Sequence, residues 1–157
     1  SNVEQWAEAR GIYEHSTALA QALKAVSEVG ELADAVIKDD KDALKDAIGD
    51  VAVCIVNAAK MIGASIRLGE VTDKDRNKCE KTCAALCAYY VSDIATDIAD
   101  RLGIWAIEDG IEHTFKYLTC LAEKSGLEFM DCCEAAWLEI KDRKGFLSPS
   151  GAFIKQE

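Results

Sequence analysis

The stretch that decides the fold contains two similar acidic segments, Ser-Glu-Val-Gly-Glu at residues 27–31 and Lys-Asp-Ala-Ile-Gly-Asp at residues 45–50. Each segment lies in a region that is otherwise typical of a helix. Each also places a glycine directly before an acidic residue, although a glycine inside a helix costs about 1 kcal/mol relative to alanine. Because a glycine lets two helices approach closely, we predict that both glycines leave room for a ligand between the carboxylates.

Two helices are predicted around these segments, over residues 17–38 and 41–62. Ser16 is the expected N-cap of the first helix, and Asp39 and Asp40 suit a turn and the start of the second. Since the connection is only a few residues long, the two helices should be antiparallel neighbours.

The rest of the chain is also typical of helices, because Ala, Leu, Glu, Lys and Asp dominate and period-two alternation is almost absent. We predict a single all-α domain over residues 1–157, built as an antiparallel helical bundle with a short C-terminal β-hairpin. Further helices are predicted over 3–10, 73–102, 104–124 with a break allowed at Gly110, and 127–143 with Gly145 as C-cap, and the hairpin is predicted at 146–147 and 152–154.

The composition argues against two kinds of partner. The 157-residue chain has a formal net charge of −10, so it has no basic surplus with which to displace counterions from a nucleic acid. No apolar run reaches the roughly 20 residues of a membrane span, and the first ten residues are too polar for a signal peptide. A small phosphorylated ligand stays compatible with the charge, because a bound metal ion can reverse the local field.

The seven cysteines contain no Cys-x-x-Cys motif. Cys79, Cys83 and Cys87 are four residues apart, which places them on one helical stripe. The favoured interpretation is that they are small core residues of a protein in a reducing compartment, and the alternative is a thiolate metal or cluster site. The sequence therefore predicts a cytoplasmic protein.

Polar residues share one face on each of the two central helices. Asp50 and Asn57 are flanked by apolar residues on nearly every side, which predicts that they lie inside the fold. A buried carboxylate needs a cation or hydrogen bonds, and four acids on adjacent helices predict a site for Mg²⁺ or Mn²⁺. The alternative is that both faces are solvated acidic surface. The first face carries Gln21, Lys24, Glu28 and Glu31, and the second carries Asp46, Asp50 and Asn57.

These residues resemble the signature of the MazG-like all-α nucleoside triphosphate pyrophosphohydrolases. That family has a Glu-x-x-Glu on one helix and a Glu-x-x-Asp on the next, and here Glu28 and Glu31 match the first motif and Asp50 ends the second. Small, often phage-borne members also have a similar tail, here Lys-Asp-Arg-Lys-Gly at residues 141–145. Further matches are Gln21-x-x-Lys24 and Trp6-x-x-x-Arg10. The resemblance covers residues 3–62 and 116–155. Residues 64–115 look like a helical insertion.

The resemblance implies Mg²⁺-dependent hydrolysis of a nucleoside triphosphate, an NTP or a dNTP, to the monophosphate and pyrophosphate. It also implies a homodimer or homotetramer. An alternative for the tail cations is that they complement the dipole of an acidic helix. The implied metal ligands are Glu28, Glu31, Asp46 and Asp50; the catalytic residues are Glu28, Glu31 and Asp50; the phosphate contacts are Lys24, Lys141, Arg143 and Lys144; and the base or sugar contacts are Gln21 and Asn57.

Two residues depart from the family pattern. Ser27 stands where many members have Glu, and Ala47 stands where the second motif has a metal-binding Glu. Asp46 shares a face with Asp50 and is the expected substitute ligand. The departures favour an alternative function, a non-catalytic nucleotide-binding or structural helical module that has lost turnover.

Overall fold

A computed structural model describes residues 1–150 and 153–156. The predicted all-α class and the short C-terminal hairpin are confirmed, and within these residues β1 pairs with β2 in antiparallel register. The elements are α1 (Asn2–Ala9), α2 (Ile12–His15), α3 (Ala18–Lys38), α4 (Lys41–Ile62), α5 (Asp73–Arg76), α6 (Glu80–Ala99), α7 (Ile104–Lys124), α8 (Phe129–Ile140), β1 (Gly145–Leu147) and β2 (Phe153–Lys155).

The core lies among the long helices. Helix α3 contacts α4 and α6, α4 also contacts α8, and α6 contacts α7. Large side chains such as Leu32, Ile55 and Leu118 are fully buried there, and this apolar burial is the main stabilising contribution to the fold. Because α4 packs against both α3 and α8, the acidic segments of α3 and α4 lie in the same part of the fold as α8, which leads into the basic tail.

The cysteine stripe is only partly in the core. Cys83 and Cys87 are fully buried, which confirms the interpretation of these two as core residues. Cys79 is exposed, because it is the N-cap of α6.

The bounds of α4 and α7 agree with the prediction, and α7 continues without a break through Gly110. The first long helix begins one residue later than predicted: Thr17, not Ser16, is the N-cap, and its hydroxyl accepts a hydrogen bond from the backbone N–H of Ala20. Helix α2 was not predicted, because it is a single turn between Gly11 and Ser16.

The predicted helix over 73–102 is wrong, since two helices replace it. Thr72 and Asp75 cap α5 reciprocally, and the buried Asp75 carboxylate pairs with Lys78 at 3.0 Å and with Lys116 of α7 at 3.7 Å. This ion-paired turn separates α5 from α6, and α6 begins after Cys79, whose backbone is extended.

The last predicted helix is also too long, because α8 ends at Ile140 with Lys141 as its C-cap. Gly145 is not a helix cap: it lies in β1, opposite Lys155. A Cβ at this position would be 2.3 Å from the carbonyl oxygen of Ile154, so a glycine is required where β2 crosses. Residue 152, predicted to start the second strand, lies outside the described residues.

No helix in the described part of the chain is both long and apolar enough to cross a membrane.

Candidate functional site

Glu28 is the most deeply buried carboxylate of the candidate site, with 7% of its surface exposed. Lys24, one turn earlier on α3, places its Nζ 2.7 Å from Oε1 of Glu28. This hydrogen bond raises the pKa of Lys24. A buried carboxylate needs such a partner, and Lys24 is a partner that can be exchanged, because its own side chain is 60% exposed.

Asp50 faces the same region from α4. Burial, followed by the negative charges of Glu28 and Glu139, raises the pKa of Asp50 to about 6, although the positive charge of Arg143 opposes the increase. Asp50 makes no ion pair with any residue that the structure describes. The fold therefore brings two carboxylates from adjacent helices together. Glu28 is paired with Lys24, whereas Asp50 has no ion-pair partner among the described residues.

Glu31 and Asp46 lie at the solvent-exposed edge of this pair. The charge of Asp46 raises the pKa of Asp50 and that of Glu31 raises the pKa of Lys24, so both acids are near the site. Nevertheless, residues 1–150 and 153–156 contain no group of three or more His, Cys, Asp or Glu placed to hold a metal ion. The predicted convergence of four carboxylates is thus reduced to a central pair with two acids beside it.

The central pair still fits a divalent cation. Mg²⁺ usually binds one or two protein carboxylates and completes its shell with water and substrate phosphates. Glu28 and Asp50 supply hard oxygen ligands, and the raised pKa of Asp50 reflects burial and a negative field, both of which a bound cation would offset.

The two glycines do not play the same role. A Cβ on Gly49 would lie 2.4 Å from the carbonyl oxygen of Cys132 and 2.7 Å from the Cβ of Ala136, both on α8. Gly49 therefore allows α4 and α8 to pack closely. Gly30 is exposed, and a Cβ there would meet nothing within 4 Å. The prediction that both glycines open space between the acidic helices is therefore wrong, since Gly49 faces α8 and Gly30 faces no neighbouring helix.

The predicted base or sugar contacts already have protein partners. Asn57 is 2% exposed, and its Oδ1 accepts a hydrogen bond from the hydroxyl of Tyr13 at 3.1 Å. Gln21 is half-buried, and its Nε2 donates to the hydroxyl of Ser16 at 3.1 Å. Asn57 thus ties α2 to α4, which confirms its predicted burial and leaves its ligand role a prediction.

The tail cations divide into two groups. Arg143 is half-buried beside Asp50 and forms an ion pair with Glu139. Lys141 and Lys144 are exposed. Lys144 lines an open cleft of about 520 Å³ between the end of α8 and the hairpin, together with Asp142, Arg143, Lys155 and Gln156.

The sequence assigned no site role to four residues of this region: Arg10, Cys54, Glu139 and Lys155. Burial and the charge of Glu28 raise the pKa of Cys54 to about 12, so a protonated thiol lies beside the carboxylates. The spacing of four residues between Asp50 and Cys54 places both on one face of α4, and Glu139 lies four residues before Arg143 in the tail motif. No comparable signal marks Lys155, because the hairpin brings it to the segment that follows α8.

These features define an all-α protein with a carboxylate pair on adjacent helices and a cationic cleft near it. The sequence model of the MazG nucleotide pyrophosphohydrolase domain matches residues 16–85. This part of the chain is similar to the MazG family, and the predicted resemblance is confirmed over it. The matched segment contains α3 and α4 and extends into the region predicted to be an insertion.

One relative comes from a bacteriophage. The "uncharacterized 18.2 kDa protein in rep-hol intergenic region" of Haemophilus phage HP1 (strain HP1c1) is 48% identical over 59 residues. The match covers 38% of this chain and 36% of the phage protein, so the chain spans about a third of that relative's length. No solved structure matches the chain.

Proposed function

We propose that the protein hydrolyses a nucleoside triphosphate, an NTP or a dNTP, to the monophosphate and pyrophosphate in a reaction that depends on Mg²⁺ or Mn²⁺. The MazG domain indicates nucleotide pyrophosphohydrolase activity in general. The observation that carries the finer proposal is the carboxylate pair of Glu28 and Asp50, which lies beside Arg143. A site with both acidic and basic groups suits a triphosphate that binds together with a divalent cation.

Glu28 and Asp50 would hold the cation, and Glu31 and Asp46 would contribute from the exposed edge, directly or through water. When bound, the metal would neutralise the triphosphate, polarise the attacked phosphorus and acidify a water molecule. Lys24 is paired with Glu28, and cation binding to that carboxylate would free its ammonium group for a phosphate oxygen.

Arg143 suits the polyphosphate because its planar guanidinium can donate to two phosphate oxygens at once. Its ion pair with Glu139 would be exchanged for that contact. Lys141 and Lys144 are compact charges that would add attraction from the exposed side. Gln21 and Asn57 remain the proposed base or sugar contacts, and each would have to exchange its present hydrogen bond.

The test is pyrophosphate release across a panel of NTPs and dNTPs, with and without Mg²⁺. We expect release that requires the metal and that is abolished in both Glu28→Gln and Asp50→Asn. Asp34→Asn is the matched control, because Asp34 is an exposed acid of α3 that pairs with Lys38. Metal and nucleotide binding without release from any nucleotide would overturn the proposal in favour of the non-catalytic module, which the departures at Ser27 and Ala47 suggest.

Asp46 has a separate test. Ala47 is 2% exposed and packs in the core, whereas Asp46 is exposed and close enough to influence Asp50. If Asp46 substitutes for the missing Glu, Asp46→Ala should weaken Mn²⁺ binding and pyrophosphate release together. Unchanged release in Asp46→Ala would reduce the ligand set to Glu28, Glu31 and Asp50.

We also propose that the protein forms a homodimer or homotetramer in the cytoplasm, with residues 64–115 as an insertion in a single domain. Light scattering on a size-exclusion column tests the assembly, and a monomer at all concentrations would contradict it.

A further inference from the structure

The C-terminal end of α8 is held by a cation from the other end of the chain. Helix α8 has no basic residue in its last turn, although a helix C-terminus leaves carbonyl groups unpaired and favours a positive charge. Arg10 supplies that charge from the end of α1. Its Nε donates to the carbonyl oxygen of Arg143 at 2.6 Å, and its Nη2 donates to that of Lys141 at 3.2 Å.

Arg10 is itself fixed by an aromatic ring. Its guanidinium carbon lies 4.9 Å from the centroid of the Trp6 ring, within the range of a cation–π interaction. Trp6 is buried and contacts Phe153 of β2, with 6.0 Å between the ring centroids. The same aromatic residue thus connects Arg10 with the hairpin that borders the cationic cleft.

The segment that Arg10 holds carries the cations of that cleft. The hairpin holds the segment from its other side, because the backbone N–H of Gln156 donates to the carbonyl oxygen of Lys144 at 3.0 Å. Arg143 and Lys144 line the cleft together with Lys155. Arg143 is also the positive charge that acts on Asp50, so its placement connects the cleft with the carboxylate pair.

We propose that Arg10 is a positioning residue for the polyphosphate: by binding the carbonyls of Lys141 and Arg143, it orients Arg143 and Lys144 toward the phosphates of a nucleoside triphosphate in the cleft. This inference rests on the proposed function. Both contacts of Arg10 go to backbone oxygens, so Arg10 acts through Arg143 and does not touch the substrate.

The first test is a double-mutant cycle, with inorganic pyrophosphate and Mg²⁺ titrated calorimetrically into the wild type, Arg10→Ala, Arg143→Ala and the double variant. Arg10→Ala should weaken pyrophosphate binding about tenfold in the wild-type background, the scale of one charge-assisted contact. In the Arg143→Ala background the same change should cost less than about twofold. An equal loss in both backgrounds would show that Arg10 acts on the fold in general and would overturn the proposal.

A conservative variant and a control variant test this result further. Arg10→Lys keeps the charge but lacks the planar fork that reaches two carbonyls, so its affinity should lie between those of the wild type and Arg10→Ala. Arg67→Ala removes an exposed ion pair with Glu112 of α7 and should leave the affinity unchanged. If Arg10→Lys binds pyrophosphate as well as the wild type, the two-carbonyl contact does not position the cations.

Hydrogen exchange of the ligand-free protein provides a test that needs no activity. Arg10→Ala should increase amide exchange over residues 141–147, and Arg67→Ala should not. Unchanged exchange in Arg10→Ala would overturn the positioning role whatever the enzyme does. If the exchange increases but the wild type neither binds nor releases pyrophosphate, the proposed function fails and the assignment of the cleft fails with it.

Discussion

Asp50 is the residue whose chemistry depends most on its surroundings. Its ordinary pKa of 3.8 is raised to about 6 by burial and then by the charge of Glu28. The folded protein therefore binds this proton more tightly than the unfolded chain, and ionising Asp50 destabilises the fold. The stability that protonated Asp50 gives the folded protein is fully present below pH 3.8 and is lost as the pH rises through about 6.

We predict that Asp50→Asn stabilises the metal-free protein at pH 7.5 by on the order of 1–2 kcal/mol. The full shift would correspond to about 3 kcal/mol, but partial exposure of Asp50 screens the charge. The gain should fall to well under half near pH 4.5, where the wild-type carboxylate is already protonated in the folded state. Urea unfolding of the wild type and of Asp50→Asn at both pH values measures this difference in stability, and Asp34→Asn, which changes an exposed acid, is the control. Equal stability of Asp50→Asn and wild type at pH 7.5 would mean that Asp50 is well solvated.

Arg143 permits a prediction about which part of the nucleotide it contacts. Arg143→Ala should weaken triphosphate binding more than monophosphate binding, by on the order of 1.5–3 kcal/mol for a lost charge-assisted contact. Titration of a non-hydrolysable triphosphate and of the matching monophosphate against the variant measures the difference. An equal loss for both ligands would place Arg143 in the base pocket or in the fold, and not on the polyphosphate.

At the scale of the helices, Gly30 and Gly49 form a natural pair of experiments, because the same change should have opposite effects. Gly49→Ala should destabilise the protein by about 1–3 kcal/mol through overpacking, since α8 must move away from α4 to accommodate the Cβ. Gly30→Ala meets nothing within 4 Å and should stabilise α3 by up to about 1 kcal/mol.

Thermal or urea unfolding of the two variants decides this point. Gly49→Ala should also reduce pyrophosphate release more than its lost stability explains, because α8 and the segment that follows it bring Glu139 and Arg143 to Asp50. If Gly49→Ala is as stable as Gly30→Ala, the contact between α4 and α8 is looser than the structure indicates.

The helices that could be predicted are those whose ends are set locally. Helix α4 begins after its N-cap Asp40 and ends before its C-cap Gly63, which has a positive φ of 72°, and both signals are in the sequence. The break between α5 and α6 could not be predicted, because the ion pair of Asp75 with Lys116 of α7 depends on tertiary packing. For the same reason, spacing predicted Glu28 and Asp50 but not Glu139 or Arg10, which reach the site only through the packing of α8 and α1.

At the scale of the whole molecule, the net charge of −10 makes two effects of Mg²⁺ separable. Any salt screens the repulsion among exposed acids and should raise the thermal midpoint somewhat. Mg²⁺ that binds the folded protein also raises the free energy of unfolding, by about 2.7 kcal/mol at a free concentration 100 times the dissociation constant.

We therefore predict that Mg²⁺ raises the thermal midpoint more than NaCl does at the same ionic strength, and that the excess disappears in Asp50→Asn. The excess should also shrink below about pH 6, because protonation of Asp50 removes a ligand that only the carboxylate form supplies. In Asp34→Asn both salts should act as they do on the wild type, since that acid lies in an exposed pair with Lys38. Equal effects of Mg²⁺ and NaCl on the wild type would mean that the central carboxylates do not hold a cation in the absence of nucleotide, and that the triphosphate has to bring the metal with it.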